Sequence, residues 1–134
     1  MGGYTVTPIP AEHDPNAGPF IYVISDGEKT MLYGHDSGWY REETWAYFRE
    51  HCKFDYVSLD CTNGLSTHEY FAHMGFAQDV RVRARMLAEG IADEKTIFCA
   101  NHFSHNGGAV YDDLVPIAAK EDFIVSYDGM TVEF

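Results

Sequence analysis

The chain has 134 residues, of which 9 are basic and 21 acidic, so its formal net charge is −12 when the histidines are neutral. This length fits a single domain, and a hydrophobic fraction of 46% excludes general disorder. The acidic pI of about 4.7 argues against binding to nucleic acid or to an anionic membrane, because both interactions rest on arrays of lysine and arginine.

Hydrophobic alternation and turn residues predict about seven strands and three helices. In chain order, the predicted strands are 4–10, 20–25, 30–35, 56–59, 95–100, 123–127 and 130–134, and the predicted helices are 41–52, 77–89 and 112–120. In the second helix, four small or aliphatic residues are predicted to face inward: Val80, Ala84, Leu87 and Ala88. A turn at Asp128 is predicted to join the last two strands in a closing hairpin.

The order of these elements predicts an α/β fold with a mixed sheet and three helices on one face. Strands such as 20–24 and 56–59 carry apolar residues on both of their alternating faces, which indicates that both faces of the sheet are covered. Three helices cannot easily cover both faces. We therefore expect a further layer, supplied by a second copy of the chain or by another segment.

The spacing of the cysteines and the distribution of apolar residues along the chain indicate an intracellular protein. Cys52, Cys61 and Cys99 show no short metal-binding spacing, so we expect reduced thiols. The first residues contain no signal-peptide pattern, and no run of about 18 apolar residues occurs. A cytoplasmic location without membrane contact is expected.

Polar residues follow most of the predicted strands. His13 comes shortly after the first strand, Asp36 follows the third, Asp60 the fourth and His102 the fifth. In open α/β sheets, ligands bind beyond the carboxyl ends of the strands. Imidazole and carboxylate groups meeting there would suit zinc, manganese or iron. Local capping and turn roles for the same residues remain an open alternative.

Other histidines give weaker signals. His73, in FAHMGF, fits a buried core histidine, and His105 forms an H-x-x-H pair with His102 beside two flexible glycines. His51 and His68 are predicted to be surface residues with no role in a site.

Six short segments give a family resemblance. In chain order they are TVTPIPAEHD, LYGHDSGW, LDCTNG, AHMGF, NHFSHNGG and SYDGMTVEF. In this order they resemble the C-terminal half of a metallo-β-lactamase-fold hydrolase, closest to the phosphoribosyl cyclic phosphodiesterase branch. The resemblance implies one half of an αβ/βα sandwich with a site for two divalent metal ions, zinc or manganese. The family's HxHxDH motif, which belongs to the N-terminal half, does not occur in this sequence.

The resemblance also implies roles for individual residues. His13, Asp36 and His102 match metal ligands of the family, and Asp36 matches the carboxylate that bridges the two metals. His73 matches the histidine that contacts the scissile phosphate and serves the leaving group. Asp60 falls at an acidic position of the family, where a supporting role behind the ligands is expected.

Three functional hypotheses remain open. The first is a hydrolase of small phosphate esters that needs its missing N-terminal half, or a longer natural chain, for activity. The second is a non-catalytic dimeric remnant or binding module of the same fold. The third is a mononuclear iron site, because His13, His102 and Asp36 form a set of two histidines and one carboxylate.

Overall fold

The computed structural model describes residues 2–68 and 71–134. Its main elements are β1 (Thr5–Pro10), β2 (Phe20–Ser25), β3 (Thr30–Gly34), α1 (Glu42–His51), β4 (Tyr56–Asp60), α2 (Phe76–Ala88), β5 (Ile97–Asn101), α3 (Tyr111–Ala118) and β6 (Phe123–Val125). Two single-turn 3₁₀ helices, His105–Gly107 and Ala119–Glu121, lie on either side of α3. The elements therefore follow the predicted order up to β6.

The strands form one mixed sheet, as predicted. Its six strands lie in the order β1-β2-β3-β4-β5-β6. The pairs β1–β2 and β2–β3 are antiparallel, whereas β3, β4, β5 and β6 run parallel to one another. The carboxyl ends of β3, β4 and β5 consequently lie at the same edge of the sheet.

All three helices pack on one face of this sheet, which confirms the predicted α/β layer. Trp45 and Phe48, three residues apart in α1, are both fully buried against it. The indole N–H of Trp45 donates to the carbonyl of Tyr40 at 3.1 Å, so the buried polar atom is satisfied. On the sheet side, fully buried residues such as Leu32 and Val57 each contribute about 1.5–3 kcal/mol through burial.

The inward face predicted for α2 is confirmed for Val80 and Leu87, which are partly buried and pack against the core, and is wrong for Ala84 and Ala88. The helix buries Val82 and Met86, whereas Ala84 and Ala88 are exposed. The guanidinium of Arg85 lies 4.3 Å from the ring centroid of Trp45, so a charged side chain covers part of the apolar surface.

The closing hairpin is also absent from the structure. Asp128 does form a turn, in which the Met130 N–H donates to the Tyr127 carbonyl at 3.0 Å. Residues 131–134 nevertheless form no strand, and the Phe134 ring stacks on Tyr56 with 5.0 Å between centroids. Tyr56 belongs to β4, two strands away from β6, so the chain passes over the sheet face instead of extending its edge. The sheet therefore has six strands and not about seven.

The face of the sheet opposite the helices is apolar and carries no helix among the described residues. Val6, Phe20 and Tyr33 on this face are 43–48% exposed. Such a row of exposed apolar side chains on a sheet marks a surface that another layer can cover. The identity of that layer stays a prediction.

Neither a membrane-spanning helix nor a disulfide occurs among residues 2–68 and 71–134. The longest helix, α2, has 13 residues and is too short and too polar to cross a bilayer. Cys52 is half-buried and Cys61 and Cys99 are buried, all as free thiols.

Candidate metal centre

Polar side chains meet at the carboxyl ends of three neighbouring parallel strands. Asp36 follows β3, Asp60 ends β4 and His102 follows β5. His13, from the loop after β1, and His73, from the segment before α2, reach the same place. Five loops or strand ends therefore contribute to a single cluster.

Asp36 lies at the centre of this cluster. Its Oδ2 is 3.6 Å from Nε2 of His13, and its Oδ1 is 3.7 Å from Nδ1 of His73 and 3.9 Å from Nε2 of His102. One ligand-type atom from each of Asp36, Asp60, His73 and His102 lies within 4.8 Å of the others. The Asp36 side chain is 53% exposed, so solvent and ions can reach it.

Hydrogen bonds assign the tautomers of two of these histidines. Nδ1 of His13 lies 3.3 Å from the Ala72 carbonyl, which can only accept a hydrogen bond. Nδ1 of His102 lies 2.9 Å from Oγ1 of Thr62, whose own proton is donated to the His102 carbonyl at 2.8 Å. Both Nδ1 atoms therefore act as donors, so in the neutral imidazoles both Nε2 atoms are unprotonated and able to bind a metal.

Asp60 holds the cluster from behind. The carboxylate is fully buried and accepts the Thr62 N–H at 2.9 Å and the Ser37 N–H at 3.2 Å. Its Oδ2 also accepts the Nδ1–H of His73 at 2.9 Å. This contact fixes the His73 ring and leaves its Nε2 free. The supporting role of Asp60 stays a prediction.

Two members of the cluster have unusual backbone conformations. Asp36 and His102 have φ values of 57° and 58°, in the left-handed region that most side chains avoid. Each such residue costs roughly 1 kcal/mol or more, and strain of this kind concentrates at functional sites. Both strained residues carry candidate metal-binding atoms.

A close backbone approach brings His73 to the cluster. A Cβ atom at Gly38 would lie 1.8 Å from the Phe71 carbonyl oxygen, so only glycine fits there. The Gly38 N–H also donates to the Glu12 carbonyl at 2.8 Å. Gly38 thereby joins the loop that carries His13 to the segment that carries His73.

Two other histidines, His105 and His35, follow β5 and β3 near these strand ends. His105 is exposed in the 3₁₀ helix after β5, so only His102 of the H-x-x-H pair takes part. The His35 side chain is buried, and its Nε2 lies 2.6 Å from Oγ of Ser58. Burial, followed by the charge of His102, lowers the pKa of His35 to about 4, so this imidazole is neutral at pH 7.

Two contributors were missed by sequence reasoning. Thr62 sets the tautomer of His102, and its only signal was its place two residues after Asp60 in LDCTNG. Asp79 is fully buried in α2, and neither of its carboxylate oxygens has a regular hydrogen-bond partner. Burial raises the pKa of Asp79 well above its ordinary value, and the charge of Asp60 raises it further, against the opposing effect of the Cys61 thiol.

No lysine or arginine lines the two cavities beside the cluster, which measure about 590 Å³ and 730 Å³. The basic side chains pair elsewhere, for example Arg41 with Glu12 and Arg85 with Glu42. Any positive charge at the cluster would therefore come from protonated imidazole or from a bound cation.

The chain matches no protein-family model and no curated protein, but it resembles several solved structures. One is the metallo-β-lactamase fold protein YhfI from Bacillus subtilis, at 19% identity and a TM-score of 0.69, over 97% of this chain and 49% of that one. An isothiocyanate hydrolase from Delia radicum gut bacteria matches at 16% identity and a TM-score of 0.66, over 100% of this chain and 56% of that one.

A possible metal-dependent hydrolase from Veillonella parvula DSM 2008 matches at 15% identity and a TM-score of 0.64, over 98% of this chain and 55% of that one. The chain thus spans about half the length of each of these proteins. At such low identities the likeness concerns the fold. The chain shares the fold of about half of each of these proteins, one of which is a metallo-β-lactamase fold protein.

Proposed function

We propose that this chain is the metal-binding part of a metal-dependent hydrolase that acts on small phosphodiesters. One observation carries the proposal: the exposed Asp36 carboxylate is surrounded by three imidazoles at 3.6–3.9 Å, at the carboxyl ends of parallel strands. The structures that the chain resembles include proteins described as hydrolases, which supports the same class of activity.

The donor set fits a divalent metal. Carboxylate oxygen and imidazole nitrogen suit zinc or manganese, and the Nε2 atoms of His13 and His102 carry free lone pairs. We assign His13, Asp36 and His102 as the ligands. A bound divalent cation would act as a Lewis acid and activate water at neutral pH. Its charge would also let a protein with a net charge of −12 attract an anionic substrate.

His73 is assigned to the substrate. Its Nδ1–H is held by the buried Asp60 carboxylate at 2.9 Å, and its side chain is 24% exposed. A carboxylate in this position orients an imidazole and stabilises its protonated form. His73 would therefore contact the scissile phosphate and deliver a proton to the leaving oxygen.

Full activity is proposed to need a complementary half. The HxHxDH motif is absent from this sequence, and the resembled proteins are about twice as long as the chain. The exposed apolar sheet face with Val6, Phe20 and Tyr33 is the surface that such a half would cover. A second copy of the chain could cover it too, and that arrangement favours the alternative of a non-catalytic homodimeric remnant or binding module.

The experiment measures metal content, solution mass and hydrolysis of bis(p-nitrophenyl) phosphate on the purified chain. We expect tightly bound zinc or manganese. His102→Ala should lower metal occupancy, whereas His73→Ala should leave occupancy unchanged and lower turnover only. His51→Ala, at an exposed histidine of α1, is the matched control and should change neither quantity.

A metal-free chain without hydrolysis would overturn the proposal and favour the binding module. Equal loss of metal in the His73 and His102 variants would refute their separate roles. About one metal ion per chain in a dimer would support sites assembled from two copies.

A further inference from the structure

A cavity of about 590 Å³ opens directly beside the candidate metal centre. His102 belongs to both, because its imidazole faces Asp36 and also forms part of the cavity wall. The remaining wall comes from β5 and the loop that follows it, from Tyr56 of β4, from Tyr111 of α3 and from the C-terminal segment 126–132. A substrate held at the metal centre could therefore extend a substituent into this space.

Three exposed aromatic rings form part of the cavity wall. Phe103, Tyr111 and Tyr127 are 44%, 45% and 58% exposed. The rings of Tyr111 and Tyr127 meet edge to face, with 5.9 Å between centroids and 84° between planes. A concave surface with grouped aromatic side chains is typical of a site for an apolar ligand, and such rings gain further stability by stacking on another ring.

The charged residues of the cavity wall disfavour an anionic occupant. Its lining contains no lysine or arginine, and Asp128 is the one carboxylate. Sites for phosphate or carboxylate groups normally supply a guanidinium, an ammonium or a cluster of backbone N–H groups. Asn101 and Ser126 provide neutral hydrogen-bonding groups instead. The lining thus favours an uncharged group over an anionic one.

We propose that this cavity is a subsite for an uncharged aryl group of the substrate, bound among Phe103, Tyr111 and Tyr127. The inference rests on the proposed function, since it takes the metal centre as the place of hydrolysis. It narrows the expected substrate to a phosphodiester that carries a neutral aromatic substituent.

The first test uses the metal-free chain, so that it does not depend on hydrolysis. Binding of p-cresol, which is uncharged at pH 7, is followed by NMR chemical shifts and compared with binding of the anion benzenesulfonate. We expect p-cresol to shift resonances of Tyr111 and Tyr127 and to bind more tightly than benzenesulfonate. Tyr127→Ala and Tyr111→Ala should each weaken p-cresol binding about 3- to 10-fold.

Phe71→Ala is the matched control for the first test. Phe71 is 63% exposed and lines the cavity on the other side of the cluster, so its loss should leave p-cresol binding unchanged. Tighter binding of benzenesulfonate, or equal effects of the Phe71 and Tyr127 variants, would overturn the subsite.

The second test separates the subsite from the proposed function. In the zinc-loaded chain, phenylphosphonate should bind more tightly than methylphosphonate, and Tyr127→Ala should reduce that preference about 3- to 10-fold. Equal binding of the two phosphonates by a chain that holds zinc would overturn the subsite while the metal centre stands. Binding of p-cresol at Tyr127 by a chain that takes up no zinc would support the subsite and overturn the proposed function.

Discussion

Carboxylates cluster at both ends of the parallel strands, but their charges are balanced in different ways. At the amino ends, Nζ of Lys29 lies 3.0 Å from Asp55, and Nζ of Lys53 lies 3.1 Å from Asp93. At the carboxyl ends, the groups that face Asp36 are imidazoles. A carboxylate with its own lysine is already neutralised. One surrounded by imidazoles with free Nε2 atoms retains the capacity to bind a cation.

The sharpest test of this contrast exchanges one carboxylate at each end for an amide. Asp36→Asn should weaken zinc affinity about 100-fold or more, because loss of supporting groups alone typically costs 10- to 100-fold. Asp55→Asn, at the amino end, should leave zinc affinity unchanged. Competition against a chromophoric chelator measures both. Equal zinc affinities for the two variants would show that the two ends of the strands do not differ in their capacity to bind a cation.

A second difference between the two ends of the parallel strands concerns a buried carboxyl group. Asp79 lies behind the carboxyl-end cluster with a raised pKa, so the folded chain keeps a proton that the unfolded chain releases above pH 3.8. Folding therefore takes up a proton, and stability falls as pH rises towards the folded pKa. Asp79→Asn should remove this pH-dependent loss of stability. The free energy of unfolding of the variant, relative to that of the wild type, should therefore grow by up to about 1.4 kcal/mol per pH unit.

Urea unfolding at pH 5 and pH 8 measures the effect of Asp79→Asn. The control is Asp93→Asn at the amino end, where backbone and lysine contacts lower the pKa. A carboxylate with a lowered pKa is ionised in both states above pH 5, so its replacement should give no pH-dependent difference there. A difference for Asp79→Asn that stays constant between the two pH values would contradict the prediction.

The smallest effect is expected at the amino end itself. Lys29→Met removes the ion pair with Asp55, in which the Lys29 side chain is 49% exposed and the Asp55 side chain 32% exposed. Pairs of this kind contribute at most about 1 kcal/mol, and salt screens them. Unfolding of the variant in low and high salt should show a small loss that disappears at high salt. A loss above about 2 kcal/mol would mean that the amino end is more than a solvated ion-pair surface.

Local patterns in the sequence predict the sheet well but predict side-chain faces less well. β-branched and aromatic runs locate the strands, and polar residues after them locate Asp36, Asp60 and His102 at one edge. Two of the four residues predicted to face inward in α2 are exposed, because the buried stripe of this helix contains a charged residue, Asp79. A prediction from hydrophobicity alone does not select a stripe that contains a charged residue, although the spacing of Asp79, Val82 and Met86 is helical.

The remaining differences come from contacts between distant residues. The predicted closing hairpin does not form, and Phe134 instead stacks on Tyr56, which lies 78 positions earlier in the chain. Pairing rules for neighbouring strands do not include such a stacking partner. Thr62 likewise acts through His102, which lies 40 positions later. Neither partner can be identified from local sequence, because both pairs depend on the completed order of the strands.

The left-handed backbone at Asp36 limits which residues evolution or design could use there. At a φ of 57° the backbone cost is smallest for glycine, and asparagine and aspartate tolerate this conformation better than most other residues. Glycine has no ligand atom, asparagine lacks the negative charge, and glutamate carries the charge on a side chain that tolerates this conformation poorly. Aspartate is thus the residue that satisfies both the backbone conformation and the need for a charged metal ligand at this position. Replacement of Asp36 by glutamate would therefore not be conservative.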